Sequence, residues 1–291
     1  MPNSRRAGSL ALLMSAAALL VSACSMLAIG YHSAPTFIYW RLDQALDFDS
    51  GQAGDVRARL DRLHAWHRRN EFPEYARFLG EVQARIAGPV TAEDVRWLHD
   101  EVRRRYTRIL GFAEADAVDV VLRLRPEQID ALDRRFARMR ADFMRQRVDV
   151  TAERAREDTY THALKTLERW YGEFDPGTRT RLRRLADAIP IETRLELEDL
   201  RRRQGALLAF LRSVVAGKVT ARPEIGDRLT RALGQWEEGR TPEYADYAAR
   251  NRAALDRFYA EAASLARPEQ RERARRELQR YLDEIATLAR T

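Results

Sequence analysis

Residues 191–216 read IETRLELEDLRRRQGALLAFLRSVVA, and their spacing decides the fold class. Leu200, Leu207, Leu208, Leu211, Val214 and Val215 recur at steps of three, four and seven. That is the period of one helix face, not the two-residue period of a strand. The spacing predicts one helix from about 191 to 216. Val95, Leu98, Val102, Tyr106 and Ile109 repeat the pattern in a helix expected over 94–110. It is introduced by Thr91-Ala92-Glu93-Asp94, a near capping box with aspartate in the glutamate position. Two-residue alternation is not sustained beyond residue 24. The chain therefore reads as all-α, an elongated assembly of roughly ten to twelve amphipathic helices without a sheet.

Proline supplies the punctuation. Of ten prolines, five precede a glutamate: Pro73, Pro126, Pro223, Pro242 and Pro268. Proline is preorganised for a first helical turn, and an acid beside it meets the positive end of the helix dipole. All five pairs predict helix starts. The repeats PEYA at 73 and 242 and RPEQ at 125 and 267 read as reuse of one helix-start solution, with internal duplication the alternative. Without a glycine- or serine-rich linker, Asp175-Pro176-Gly177 is the best place for a subdivision.

The chain of 291 residues carries 51 basic and 44 acidic residues, a net charge of +7, with only Lys165 and Lys218 as lysines. A nucleic-acid surface would gather one sign of charge. Here arginine and acid interleave, so runs such as Arg103-Arg104-Arg105 and Arg201-Arg202-Arg203 read as solvated helix faces and no nucleic-acid partner is expected.

The N-terminus gives an address. Arg5 and Arg6 precede an apolar run, Leu10 to Val21, too short to span a bilayer, and Val21-Ser22-Ala23-Cys24 follows. That tetrapeptide resembles the bacterial lipobox. The resemblance implies a signal peptide over 1–23, cleavage before Cys24, and acyl chains on Cys24, which is the one cysteine present. Loss of Arg5 and Arg6 leaves 49 basic and 44 acidic residues, a net charge of +5. Ser25 is not the aspartate that retains lipoproteins in the inner membrane of enteric bacteria. The expected product is a helical domain over 24–291, anchored to the outer membrane, facing the periplasm, with covalent lipid and no other cofactor. A lone cysteine allows no internal disulfide, so packing must supply stability. Phe37, Ile38, Tyr39 and Trp40 are unlike a polar tether and are expected to begin the first packed helix, close to the membrane.

Candidate chemistry gathers in HAWHRRNEFPEY, residues 64–75. With Val56 as zero, Leu60 falls at about 40°, Leu63 at about 340° and His67 at about 20° around the helix. His64 and Glu71 fall on the edge of this stripe, at about 80° and 60°, and Trp66 lies apart near 280°. His99 falls on the apolar face of its own helix, whereas His162 points away from its helix's apolar face. A metal or hydrolytic site would recruit His64, His67, Glu71 and His99. The spacing lacks the four-residue histidine step of helical metalloproteases. The other reading is a buried His67 held by hydrogen bonds near Glu71 or a backbone carbonyl, where the helix ends against Pro73. Phosphate loops, nucleophile elbows and free thiols are absent from the mature sequence, so catalysis is the lesser expectation.

The lipobox, Tyr39-Trp40-Arg41-Leu42-Asp43, and Trp66-His67-Arg68-x-x-Glu71-Phe72-Pro73-x-Tyr75 together resemble a family of proteobacterial lipoproteins of unknown function. Leu124-Arg125-Pro126-Glu127-Gln128 continues the likeness, with Arg125 in place of the family's threonine and Phe72 in place of its leucine. Leu124 and Gln128 also faintly echo a motif of small periplasmic chaperones. The resemblance implies address and helicity without naming a reaction. It leaves a binding role toward a polypeptide client or envelope partner, with Trp66, His67, Arg68, Glu71, Pro73 and Tyr75 as the candidate surface.

Overall fold

The computed structural model describes residues 26–234 and 240–290, so the expected signal peptide and Cys24 lie outside the described residues. Eleven α-helices are found among the described residues, with no strand. They are α1 (Met26–His32), α2 (Ala34–Leu46), α3 (Ser50–Arg85), α4 (Ala92–Leu122), α5 (Pro126–Phe143), α6 (Ala152–Tyr171), α7 (Pro176–Asp187), α8 (Thr193–Val215), α9 (Arg222–Gly234), α10 (Pro242–Leu265) and α11 (Pro268–Arg290). A π-helical turn, Met144–Val148, extends α5. The helix expected over 191–216 is α8. That expected over 94–110 runs on as α4 to Leu122, because Val118 and Val121 beyond Gly111 are buried and continue its apolar face.

Four of the five proline-glutamate pairs open helices, and Pro73 does not. It sits inside the 36-residue α3, correcting the expectation that a helix ends there. Proline removes one backbone N–H and crowds the preceding turn. The defect falls on the outer side of α3, where Arg69 and Pro73 are exposed and water can meet the freed carbonyl. Glu71 and Phe72 beside it are buried, and their packing holds the two halves of the helix together.

The two RPEQ stretches are one solution used twice. In each, the glutamine reaches back to the N–H of its N-cap arginine, Arg125 to Gln128 and Arg267 to Gln270, both at 3.0 Å. The remaining amide N–H groups then tie down an earlier segment. Gln128 donates to the Leu46 carbonyl and to Gln52 Oε1, each at 2.8 Å, and Gln270 donates to the Glu173 carbonyl at 2.9 Å. Gln128 is thus consumed in locking α5 to the α2–α3 turn. The two PEYA stretches differ, one inside α3 and one opening α10.

Two apolar clusters hold most of the core. One joins α4, α5, α8 and α9 through Val118, Ile129, Leu208, Leu211 and Ile225. The other joins α6, α7 and α10 through Leu167, Leu182, Phe258 and Ala262. Asp175-Pro176-Gly177 caps and opens α7, and Phe174 before it shares a cluster with Leu182 after it. A third, smaller cluster brings both described ends of the chain onto α3: Phe72 meets Ile285 and Leu288 of α11 and Leu27 and Tyr31 of α1. Burying a phenylalanine contributes about 2–3 kcal/mol, against about 0–1 for an exposed ion pair, so apolar contact secures this junction. The interleaved charge becomes lateral ion pairing, as where Arg59 of α3 lies 2.6 Å from Asp116 and 2.8 Å from Asp119 of α4.

Phe37, Ile38, Tyr39 and Trp40 do form a helix, α2, yet no residue of α2 is buried. It packs through Tyr39, Ala45 and Leu46, and leaves Phe37 59 % exposed and Trp40 48 % exposed. This corrects the expectation that all four aromatic and aliphatic residues begin the packed body.

Candidate functional site

The expected site residues fall in two places. His64, His67, Glu71 and Tyr75 line the inner side of α3 against α1 and α4, whereas His99 belongs to a cleft between α4 and α10. Among the described residues, no group of three or more His, Cys, Asp or Glu side chains is placed to hold a metal ion.

At the first place, Tyr31 of α1 lies across both histidines, its ring 4.3 Å from that of His64 and 5.7 Å from that of His67. One arrangement of protons satisfies every group. His64 Nε2 donates to the Tyr31 carbonyl at 3.0 Å. His67 Nδ1 donates to the Tyr31 hydroxyl at 3.1 Å, which donates to the His64 carbonyl at 3.3 Å. The Tyr75 hydroxyl donates to His67 Nε2 at 2.9 Å. His67 is therefore held neutral by two tyrosines rather than by Glu71 or a carbonyl. Burial, and then the nearby His64, depress its pKa, while burial chiefly pushes Tyr31 and Tyr75 up to about 12. A histidine with both nitrogens engaged offers no lone pair to a metal.

Glu71, read from sequence as a stripe-edge residue, is fully buried. Its Oε1 lies 3.0 Å from an Arg108 guanidinium nitrogen of α4, and neither carboxylate oxygen has a well-directed hydrogen bond. Trp66 stacks on Phe112 of α4 with ring centres 4.2 Å apart. Arg68 sits close enough to Tyr31 to favour its ionised form, against the stronger effect of burial. Pro73 faces out. The Trp-His-Arg block is thus a junction: one side grips α4, the other grips α1 and α11.

The cleft is of another kind. It encloses about 500 Å³ and is lined by His99, Val102, Arg103 and Tyr106 of α4 and by Tyr244, Tyr247, Arg252 and Leu255 of α10, with Glu196 and Arg240 beside them. Behind it, Asp256 is 1 % exposed, its Oδ1 3.2 Å from His99 Nδ1. Tyr247 donates to Glu196, and Tyr106 donates to the Leu233 carbonyl at 3.2 Å. Burial raises the pKa of Tyr106, Tyr244 and Tyr247, reinforced at Tyr247 by Glu196, so all three are neutral donors at neutral pH. Sequence reasoning found His99 and missed Asp256, Tyr244 and Tyr247. A signal for Asp256 existed: it shares a face of α10 with the buried Ala260 and Ala263, where a lone carboxylate needs a partner.

Fold and site together define an all-helical protein with a closed histidine-tyrosine junction and an open tyrosine-arginine cleft. The chain belongs to a family of unknown function, DUF6279, whose family model matches residues 44–221. The match contains the Trp-His-Arg block, Gln128 and the α4 wall of the cleft, and stops before α10. No curated protein and no solved structure matches the chain.

Proposed function

We propose that this chain is a proteobacterial lipoprotein, anchored through Cys24 to the outer membrane and facing the periplasm, that binds a polypeptide segment in the α4–α10 cleft without acting on it chemically. The cleft lining carries this reading: Tyr106, Tyr244 and Tyr247 stand beside Arg103, Arg240 and Arg252, with Val102 54 % exposed. Tyrosine and arginine dominate binding hot spots because each combines a large contact area with directed hydrogen bonds. The volume suits a few side chains, so the ligand enters as a segment rather than as a folded domain. Glu196 already accepts from Tyr247, and the lining is net positive, which favours an acidic segment. The short apolar run and the lipobox-like tetrapeptide support the anchor.

A photo-crosslinking residue at Val102 in intact cells tests the cleft, with Glu173, 90 % exposed, as the control position. Products are expected at 102 and not at 173. One discrete band means a dedicated envelope partner, a ladder means many clients, and equal labelling at both positions would remove the cleft from the proposal. The mass of the N-terminal peptide reads the anchor separately.

One observation favours a second reading, acid/base chemistry. A catalytic imidazole is oriented by a carboxylate that accepts from its Nδ1–H. Asp256 Oδ1 stands 3.2 Å from His99 Nδ1, in ion-pair range but without a directed hydrogen bond, so a bound segment would have to turn the ring to complete the pair. Turnover of a segment captured in the cleft, lost in both His99→Gln and Asp256→Asn, would move the proposal there.

A further inference from the structure

The amino-terminal helices carry an apolar surface that the body does not use. Among the described residues, Ile29, Phe37, Ile38, Trp40 and Leu42 are exposed large apolar side chains gathered within fourteen residues. Of the others, Val102, Tyr106, Phe112 and Leu122 belong to α4, where Val102 and Tyr106 line the cleft, and Met139 and Leu233 stand apart. The body side of α2 is already satisfied. Tyr39 donates to Asp43 Oδ1 at 3.3 Å, the Phe48 N–H donates to the same oxygen at 3.2 Å, and the Arg57 guanidinium lies 3.9 Å over the Tyr39 ring.

With Phe37 as zero, Trp40 falls at about 300°, Arg41 at about 40°, Ile38 at about 100° and Leu42 at about 140°, while Tyr39 and Asp43 fall at about 200° and 240°. Up to Leu42 the outward face therefore presents aromatic and aliphatic groups with Arg41 as its single charge, in a chain of which 33 % of residues are charged. Ala45, on the same side a turn further on, already packs against the body. Phe37 and Trp40 lie side by side, ring centres 5.9 Å apart. Tryptophan beside arginine is the composition of a helix lying in a membrane interface: the rings sit at headgroup depth and the guanidinium reaches back to the phosphates. No helix among the described residues is long and apolar enough to cross a membrane.

We propose that the outward face of α2, with Phe37, Ile38, Trp40, Arg41 and Leu42, lies in the interfacial layer of the bilayer to which Cys24 is anchored. The occupant follows from the leash. Twelve residues lie between Cys24 and Phe37, a span of about 20 Å if helical, which keeps the patch within reach of the lipid surface. An acyl anchor holds only the chain's end; a docked α2 also fixes the body's orientation, through the Gln128 lock and the α1–α3 junction. The inference rests on the anchor reading and is separable from it.

The test uses the processed full chain in vesicles of phosphatidylethanolamine and phosphatidylglycerol, with a nitroxide on Ile38→Cys or, as control, Glu173→Cys. Relaxation by oxygen, which partitions into lipid, is compared with relaxation by a water-soluble nickel chelate. The oxygen-to-nickel ratio at position 38 is expected to exceed that at 173 by roughly fivefold or more, and to fall to the control value in a second variant adding Phe37→Asp. A ratio equal to the control on a chain that floats with the vesicles overturns the proposal and leaves the anchor standing. A label shielded from both reagents also overturns it, in favour of a second copy or another polypeptide on that face. If the N-terminal peptide carries no acyl mass, the anchor reading fails, and the ratio at 38, measured with Cys24→Ser so that no second thiol takes the label, still decides whether α2 lies in lipid.

Discussion

His67 and His99 stand in opposite surroundings. His67 is enclosed by the hydroxyls of Tyr31 from α1 and Tyr75 from two turns along its own helix, and both ring nitrogens are used. His99 has one nitrogen toward a buried carboxylate, and its side chain, 40 % exposed, lines a cleft. A histidine motif in sequence therefore marks two unlike things here. Where tyrosines close both sides, the imidazole is a structural strut. Where one side stays open, it is available to a ligand.

The contrast is broken most forcefully through the junction's apolar residue. Phe72→Ala should cost about 3–5 kcal/mol of unfolding free energy in urea titration, because a phenylalanine 3 % exposed leaves a cavity between α1, α3 and α11. Tyr106→Ala in the cleft, 37 % exposed, should cost about 1–2 kcal/mol, less than Phe72→Ala, yet sharply reduce crosslinking at Val102. Equal destabilisation by the two would erase the distinction between strut and cleft.

A smaller effect is expected from Arg108→Ala, about 1–3 kcal/mol, since it strips the partner from a buried Glu71 while Arg108 itself is half exposed. Glu71→Gln in the same background should recover part of the loss, because the stranded charge is gone. No recovery would mean that Arg108 acts through packing alone.

Acid and base dissect the junction further. The pKa of His67 is lowered in the folded protein, so the unfolded chain binds a proton first as pH falls through the ordinary value of 6.5. Its stabilising contribution is complete above that value and declines below it until the folded form also protonates. His67→Gln should flatten this part of the stability-pH curve. At the alkaline end Tyr31 and Tyr75, raised to about 12, keep their protons longer than the unfolded chain does. Stability should therefore fall as pH climbs from 10 toward 12, and in ultraviolet difference spectra the late-titrating group of tyrosines should lose one member in Tyr31→Phe and one in Tyr75→Phe. The smallest expected signal is zinc: equilibrium dialysis at neutral pH should show no stoichiometric binding that His67→Ala removes.

Much of the architecture was legible because helices announce themselves locally. The leucine and valine steps of α8, the Thr91–Asp94 box and four proline-glutamate starts each depend on residues within two turns. Pro73 was misread for the same reason. Its local signature matches a helix start, and only the burial of Glu71 and Phe72 against other helices carries α3 through it. The position of His67 on an inward stripe was also legible. Its partners were not, since Tyr31 comes from a separate helix and carries no pattern linking it to residue 67.

The sequence by itself determined the helical class, the interleaving of charge and the inward placement of His67, because periodicity, capping chemistry and composition act over a few residues. Tertiary structure alone decided that Glu71 is fully buried against Arg108, that His99 meets Asp256 across 157 positions, that tyrosines and arginines converge on one cleft, and that the aromatic face of α2 is left uncovered. Those outcomes depend on which helices pack together, and packing is settled by the summed burial of many apolar side chains far apart in the chain.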